Sequence, residues 1–300
     1  MKKYIINILI FFAIVAIIDI TVGYAGDYLV SHLKSGDVKR TNDLAMIDIH
    51  DVLILGSSRA RHHYDTPFLS DTTGLDVYNA GYDGNGVILA YGLLEMILER
   101  YQPKLIIYDV EPSFDINVYA EDNNNKRYIS RLKPYYRHKA IGNIIDDVST
   151  EEWYKVHSGM MRYNMSILTM LTEGLRKSKE DFKGYSPMQG VYDREPELSV
   201  GKRELDSLKL EYVEKLILLA KSEQIPLIVV ASPRYGMSSS SSLQPVMDIC
   251  KLHNVEFCDY YAEGEFMNHK EWFKEPMHLN AKGATAFSER IVESIIRAVQ

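Results

Sequence analysis

Short apolar runs alternate with helical patterns after residue 50, and this alternation constrains the fold more than any other feature of the sequence. Three of the runs are nearly continuous in Val, Ile and Leu, as is typical of parallel strands that are buried on both faces. Between and after them, 86–101, 203–223 and 281–299 carry apolar residues at helical spacing. The alternation predicts an α/β fold, a flavodoxin-like three-layer sandwich with a central parallel sheet. The predicted strands are 51–56, 76–81, 104–110, 226–232 and 255–260.

One long segment interrupts the alternation between the third and fourth predicted strands. It covers about 114–202, which is far longer than the dozen or so residues that a crossover between parallel strands needs. Helical patterns lie near 139–148 and 160–177. We therefore predict a mostly helical insertion, either with a substrate role or with a packing role only.

The N-terminus carries the only long apolar stretch, residues 4–25, preceded by Lys2 and Lys3. About 20 apolar residues are enough for a helix to cross a bilayer. The two lysines place the N-terminus in the cytoplasm and the body outside by the positive-inside rule. We predict an uncleaved transmembrane anchor. A cleaved signal peptide is the alternative, because Gly23 and Ala25 would suit a small-residue cleavage site.

Composition and charge argue against several functions. The net charge is −7 without a long basic run, so we expect no nucleic-acid partner. The two cysteines are too few for a disulfide framework. No cluster of His, Asp or Glu has metal-ligand spacing, so we predict neither a metal nor a cofactor. The predicted organisation is an anchor over 1–25, a linker over 26–50 and an α/β domain over 51–300.

Three side chains are candidates for chemistry at the carboxyl ends of the predicted strands. Ser58 follows the first strand in a Gly-Ser-Ser-Arg turn that enters a helix, where backbone amides can stabilise negative charge. Glu275 and His278 stand three residues apart just before the last helix. At that spacing the carboxylate can orient the imidazole, which then takes the serine proton. His62 and His63 are predicted to be surface or supporting residues.

These motifs resemble the SGNH (GDSL-type) hydrolase superfamily. The turn at 56–58 (GSS) is similar to the family's Gly-x-Ser block, and 79–84 (NAGYDG) is similar to its second block. The last block, Asp-x-x-His, is matched by Glu275 and His278, with Glu in place of Asp. The resemblance covers about 51–110 and 226–299 and leaves out the anchor and the insertion.

The resemblance implies a role for each matched residue. Ser58 is the expected nucleophile, His278 the general base and then acid, and Glu275 the residue that orients it. The backbone amides of Ser58 and Gly84 are the expected oxyanion donors. The family presents an Asn after the third strand, whereas this chain has Ser113 nearest that position. We expect the Ser113 hydroxyl to donate in its place.

The resemblance also implies a function. The expected activity is that of a serine esterase or O-acyltransferase acting on O-acetyl groups of a cell-surface or secreted polysaccharide, or on another acyl ester. The expected location is the bacterial inner membrane, single-pass through residues 4–25, with a multi-span membrane acyltransferase as a possible partner. We expect Arg59 or Arg234 to help hold the substrate. The alternative is a catalytically inactive, tethered binding or assembly protein for polysaccharide or envelope biogenesis, which the missing Asn favours.

Overall fold

The structure, a computed structural model, describes residues 1–118, 125–164, 166–174, 182–194 and 204–300. It divides into two compact units, each made of two stretches of chain. We call Met1–Ile47 with Asn125–Glu180 the helical unit, and Asp48–Asn124 with Asp181–Gln300 the sheet unit.

The strands of the sheet unit form a five-stranded parallel sheet in the order β2-β1-β3-β4-β5. A small antiparallel pair, β6 with β7, follows near the C-terminus. Each strand of the main sheet lies inside one of the predicted runs, so the predicted α/β architecture is confirmed. The strands are β1 (Val52–Gly56), β2 (Val77–Asn79), β3 (Leu105–Asp109), β4 (Leu227–Ala231), β5 (Glu256–Asp259), β6 (Phe273–Glu275) and β7 (His278–Leu279).

Helices account for most of the remaining described residues. They are α1 (Lys2–His32), α2 (Gly36–Met46), α3 (Ser58–His63), α4 (Thr66–Thr73), α5 (Val87–Leu98), α6 (Pro112–Asp115), α7 (Lys139–Val148), α8 (Thr150–Lys155), α9 (Gly159–Tyr163), α10 (Ser166–Gly174), α11 (Ser207–Ser222), α12 (Gln244–Leu252), α13 (Gly264–Met267) and α14 (Ala281–Val299). Short 3-10 helices occupy Asn125–Ile129, Lys133–Tyr135, Ser241–Leu243 and Lys270–Trp272.

The core of the sheet unit lies on both faces of the central strands. Every residue of β1, β3 and β4 is buried, which is why these strands read as continuous apolar runs. Helix α14 buries Ala284, Phe287, Ile291 and Ile295 in the same cluster. The sheet therefore holds the carboxyl ends of its strands in fixed positions.

The helical unit differs from the sequence prediction at the linker. The linker was predicted over 26–50, but α1 continues to His32 and α2 occupies Gly36–Met46. Helix α2 buries Thr41, Leu44 and Ala45, and this buried face is the physical reason that a polar stretch becomes a helix. In the insertion, α7, α9 and α10 lie where helical patterns were predicted, whereas 119–124, 165, 175–181 and 195–203 lie outside the described residues.

Helix α1 is the one helix in the described part of the chain that is long and apolar enough to cross a membrane. Its apolar window is not buried against the rest of the protein. Length and composition are therefore compatible with a single-pass anchor, and they are equally compatible with a signal sequence.

Candidate active site

Ser58 is the first residue of α3, directly after the carboxyl end of β1. Gly56 has a φ of +143°, and a Cβ there would lie 2.5 Å from the carbonyl oxygen of Asp109. Only glycine tolerates both that φ and that approach to β3. Ser57 then caps α3 by accepting the N–H of Arg59. This turn leaves Ser58 at the edge of the sheet where parallel sheets bind ligands.

The structure brings Ser58, His278 and Glu275 into one hydrogen-bonded chain. The Ser58 Oγ lies 2.7 Å from the His278 Nε2, and the His278 Nδ1 lies 2.5 Å from the Glu275 Oε1. An ionised carboxylate only accepts, so Nδ1 carries the proton and Nε2 is left to accept the hydroxyl proton of the serine. This is the geometry of a serine nucleophile with a general base and an orienting acid.

Strands β6 and β7 place the candidate acid, Glu275, and the candidate base, His278, on the two arms of one small hairpin. They pair Glu275 with His278, with an irregularity in the register between Phe273 and Glu275. The Glu275 side chain is 54% exposed, whereas that of His278 is 13% exposed. The base is thus largely withdrawn from water while its acid partner faces solvent.

The surroundings of His278 keep its imidazole neutral. Burial lowers the pKa of His278 from its usual 6.5, and electrostatic repulsion from the neighbouring His62 and Arg59 acts in the same direction. The hydrogen bond to Glu275 opposes them without reversing the lowering of the pKa. A neutral imidazole is the form that can accept a proton from Ser58.

His62 is buried beside the base and connects it to the loop before Gly84. Its ring meets that of His278 edge to face, with the centroids 5.4 Å apart. Its Nδ1 lies 2.6 Å from the carbonyl oxygen of Ser186, and its Nε2 lies 3.1 Å from the Asp83 Oδ1. Burial works against ionisation of Asp83, but the His62 hydrogen bond and the nearby positive charges outweigh it and lower the pKa of that carboxyl.

His63 supports the backbone that follows His278. The N–H of Leu279 donates to the His63 Nε2 over 3.1 Å, so the ring proton lies on Nδ1, which is 2.9 Å from the Ser232 Oγ. Full burial lowers the pKa of His63 well below its usual value. His62 and His63 are both buried. Of the two placements predicted for them, the surface one is wrong.

Arg59 does not lie where a substrate could reach it, which corrects the sequence prediction. Its side chain is fully buried, with Nε and Nη2 donating to the Ser232 Oγ over 3.2 and 3.0 Å. The guanidinium stacks over Tyr261 and faces Asp109, whose pKa is raised by burial against the charge of Arg59. The physical reason is that Ser232 and the ring of Tyr261 supply partners for the guanidinium inside the protein.

Arg234 keeps contact with solvent, at 25% side-chain exposure. Its Nη1 lies 3.1 Å from the Tyr261 hydroxyl and 3.9 Å from the Glu111 Oε1. The next residue, Tyr235, donates its N–H to the carbonyl of Pro276. The loop after β4 is thus tied to the hairpin that carries the base, and Arg234 stays a candidate for substrate contact.

Two of the predicted oxyanion donors follow β2 and β3: Gly84 lies in the loop after β2, and Ser113 lies in α6 after β3. Gly84 has a φ of 66°, which favours glycine. Ser113 is buried in α6 with its N–H donating to the Glu111 Oε2 over 2.7 Å, and its carbonyl accepts from the Lys209 Nζ. Because that N–H is engaged, an oxyanion contact from Ser113 would come from its hydroxyl.

Sequence reasoning missed two polar partners of the side chains at the site. They are the buried Ser232, which joins Arg59 to His63, and the exposed Asp83, which pairs with His62. No local pattern marks either residue, because their partners are distant in sequence. Among the described residues, no group of three or more His, Cys, Asp or Glu could hold a metal ion.

Comparisons with known proteins give a likeness of fold. No family model matches the chain, and no curated protein does. A protein from Streptococcus pneumonia described as a platelet activating factor is 11% identical, with a TM-score of 0.46 over 86% of this chain and 90% of that one. A protein from Bacteroides fragilis described as an acylhydrolase is 13% identical, with a TM-score of 0.43 over 88% and 98%. A GDSL-like lipase from Bacteroides thetaiotaomicron is 13% identical, with a TM-score of 0.38 over 86% and 97%.

The last of these neighbours is named for the superfamily that the motifs resemble. Likenesses of this size carry no argument about activity. The functional argument rests on the geometry of this chain itself: Ser58, His278 and Glu275 in one hydrogen-bonded chain at the carboxyl edge of a parallel sheet.

Proposed function

We propose that this chain is a serine ester hydrolase or O-acyltransferase. The observation that carries the proposal is the Ser58–His278–Glu275 chain of hydrogen bonds. The Ser58 Oγ would attack the ester carbonyl carbon while its proton passes to the His278 Nε2. Collapse of the tetrahedral intermediate would expel the alcohol, which takes that proton and leaves an acyl-serine. The imidazolium formed in the first step is stabilised by the Glu275 carboxylate.

The acyl-serine would then be resolved by a second nucleophile. Water activated by His278 gives a free acid and makes the enzyme an esterase. A sugar hydroxyl in the same position gives a new ester and makes it an O-acyltransferase. The backbone amides of Ser58 and Gly84, with the Ser113 hydroxyl, are the proposed donors to the oxyanion in both half-reactions.

The proposed substrate is an O-acetylated cell-surface or secreted polysaccharide, at the outer face of a bacterial inner membrane. The resemblance to the SGNH superfamily supports this substrate class, and the exposed apolar helix α1 supports a tethered enzyme with its N-terminus in the cytoplasm. A multi-span membrane acyltransferase is the proposed source of acyl groups for the transferase case.

The first test is labelling of the full-length chain, solubilised in detergent, with a fluorophosphonate. Wild type should be labelled, and Ser58→Ala and His278→Ala should not. His253→Ala is the matched control, because His253 also bonds a glutamate, with its Nε2 2.6 Å from the Glu214 Oε1. Labelling in that control should equal wild type. A folded wild type that is not labelled would favour the tethered binding protein.

The second test separates hydrolase from transferase. An acetylated oligosaccharide is incubated with wild type and with Ser58→Ala, with and without an unacetylated acceptor sugar. Free acetate in both conditions indicates an esterase, and acetylated acceptor indicates a transferase. Labelled enzyme that releases acetate from neither mixture would contradict the proposed substrate while leaving the activated serine in place.

A further inference from the structure

Helix α9 is built tightly against the second half of α1, within the helical unit. A Cβ on Gly159 would lie 2.3 Å from the Asp19 carbonyl oxygen and 2.4 Å from the Gly23 nitrogen. A Cβ on Gly26 would lie 2.2 Å from the ring of Tyr163. The two backbones therefore approach as closely as they do only because these positions are glycine.

Two carboxylates of α1 fix the level of α9 along it. Asp19 accepts the Ser158 hydroxyl over 2.5 Å and also accepts the N–H groups of Gly159 and Met160, over 3.1 and 2.9 Å. Asp27 accepts the Tyr163 hydroxyl over 2.5 Å. Eight residues separate the two carboxylates, which is about 12 Å along a helix. The contacts hold α9 at the level between them.

The apolar run before Asp19 is too short to cross a bilayer alone. Residues 4–18 are all exposed, and they span about 22 Å as a helix. The hydrocarbon core is about 30 Å thick, so the next five or so residues, Asp19 to Gly23, must also lie within it. A carboxylate at that depth needs partners, and Ser158, Gly159 and Met160 supply them.

We infer that α1 is retained in the mature protein and that α9 enters the outer part of the hydrocarbon with it, so that Met160 and Met161 contact lipid. The inference rests on the proposal that α1 spans the membrane. Met160 is 46% exposed and Met161 58% exposed in the protein alone. Lipid is the partner that fits these side chains, because α9 is bonded to the very part of α1 that must complete the span.

The same contacts argue against removal of α1 as a signal peptide. Cleavage after Ala25 would take Asp19 and Gly23 away from α9. It would leave three donors of α9 and its cap without their carboxylate, and it would remove the backbone against which the buried Gly159 packs. A signal peptide that is removed would not be expected to form a packed and hydrogen-bonded interface with α9 of the mature protein.

The test measures depth at three positions of the full chain, reconstituted in vesicles of phosphatidylethanolamine and phosphatidylglycerol. Met161→Cys, Ile10→Cys and Tyr28→Cys are each made in a Cys258→Ser background and labelled with an environment-sensitive fluorophore. Cys250 is buried, with its pKa raised to about 12, so it stays unlabelled. Ile10 reports the anchor, and Tyr28 lies about 36 Å from Tyr4 along α1 and reports water.

We expect the label at Met161 to emit at a shorter wavelength than that at Tyr28 and to be quenched, like that at Ile10, by lipids spin-labelled in the acyl chain. A label at Ile10 in lipid with one at Met161 that behaves like Tyr28 would overturn the inference and leave the anchor intact. A label at Ile10 in water would overturn the anchor and the inference together. The intact mass of the membrane-purified protein should include residues 1–25, and a mass that begins after Ala25 would overturn retention.

Discussion

Glu275, the proposed orienting acid, faces solvent, and this exposure limits how much it can contribute to catalysis. Two unit charges about 4 Å apart attract by about 1 kcal/mol in water and about 4 kcal/mol at an effective dielectric constant near 20. The Glu275 side chain is 54% exposed, so screening places its contribution near the lower end, at about 1–2 kcal/mol. At about 1.4 kcal/mol per factor of ten, Glu275→Gln should slow acylation of Ser58 roughly 5–30-fold.

The substitution also removes the group that holds the proton on the His278 Nδ1. An amide that donates to Nδ1 would favour the wrong tautomer, and the exposed side chain can rotate away from it. The assay is the second-order rate constant of fluorophosphonate labelling of Ser58 near neutral pH. Glu271→Gln is the matched control, because the Glu271 Oε1 lies 2.8 Å from the His269 Nδ1 and its side chain is about as exposed as that of Glu275, at 49%. That variant should label at the rate of wild type.

Two results would refute this reasoning. An unchanged rate in Glu275→Gln would mean that the carboxylate neither orients nor stabilises the imidazole. A loss as complete as that of His278→Ala would mean that Glu275 is shielded from water in the working enzyme, contrary to its exposure in the structure.

Further predictions concern the base, its support and the oxyanion. Labelling of Ser58 should rise with pH through a midpoint below 6.5, because burial lowers the pKa of His278 and the neutral form is the base; a pH–rate profile with a midpoint above 6.5 would contradict this. His63→Phe removes the acceptor for the N–H that follows His278, and an unpaired buried donor costs about 1–3 kcal/mol. Its Tm, read by thermal unfolding, should fall, and unchanged Tm and labelling would remove that support role. Ser113→Ala should slow ester hydrolysis by up to about 10²–10³-fold if its hydroxyl holds the oxyanion. Ser113→Thr keeps a hydroxyl and should retain most of the wild-type rate. If the Ala and Thr variants hydrolyse the ester at the same rate, the Ser113 hydroxyl is not an oxyanion donor.

The sequence was sufficient for the sheet because buried parallel strands leave a local signal. Strands β1, β3 and β4 are covered on both faces, so each appears as an unbroken apolar run. The pairing of Glu275 with His278 was also predictable, since three residues of chain hold the two side chains near one another. Their approach to Ser58 was expected because the chain leaves β5 at the carboxyl edge of the sheet, the same edge at which Ser58 follows β1.

The linker and the arginine show where local patterns fail. The stretch 26–50 is polar enough to suggest a linker. A helix nevertheless forms over Gly36–Met46, because packing within the folded protein buries Leu44 and Ala45. Arg59 follows the candidate nucleophile directly and would be expected to face a substrate. Its burial depends on Ser232, which stands 173 residues further along the chain, and no pattern near Arg59 encodes that partner.

The sequence by itself determined the alternation of strands and helices, the apolar N-terminal helix and the Ser-His-Glu constellation, because each depends on spacing within a short segment or on a strand end. The tertiary structure decided which polar side chains are buried, which tautomer His63 adopts and where α9 packs against α1. These depend on groups that meet only after folding, where burial and hydrogen-bond partners fix protonation and position.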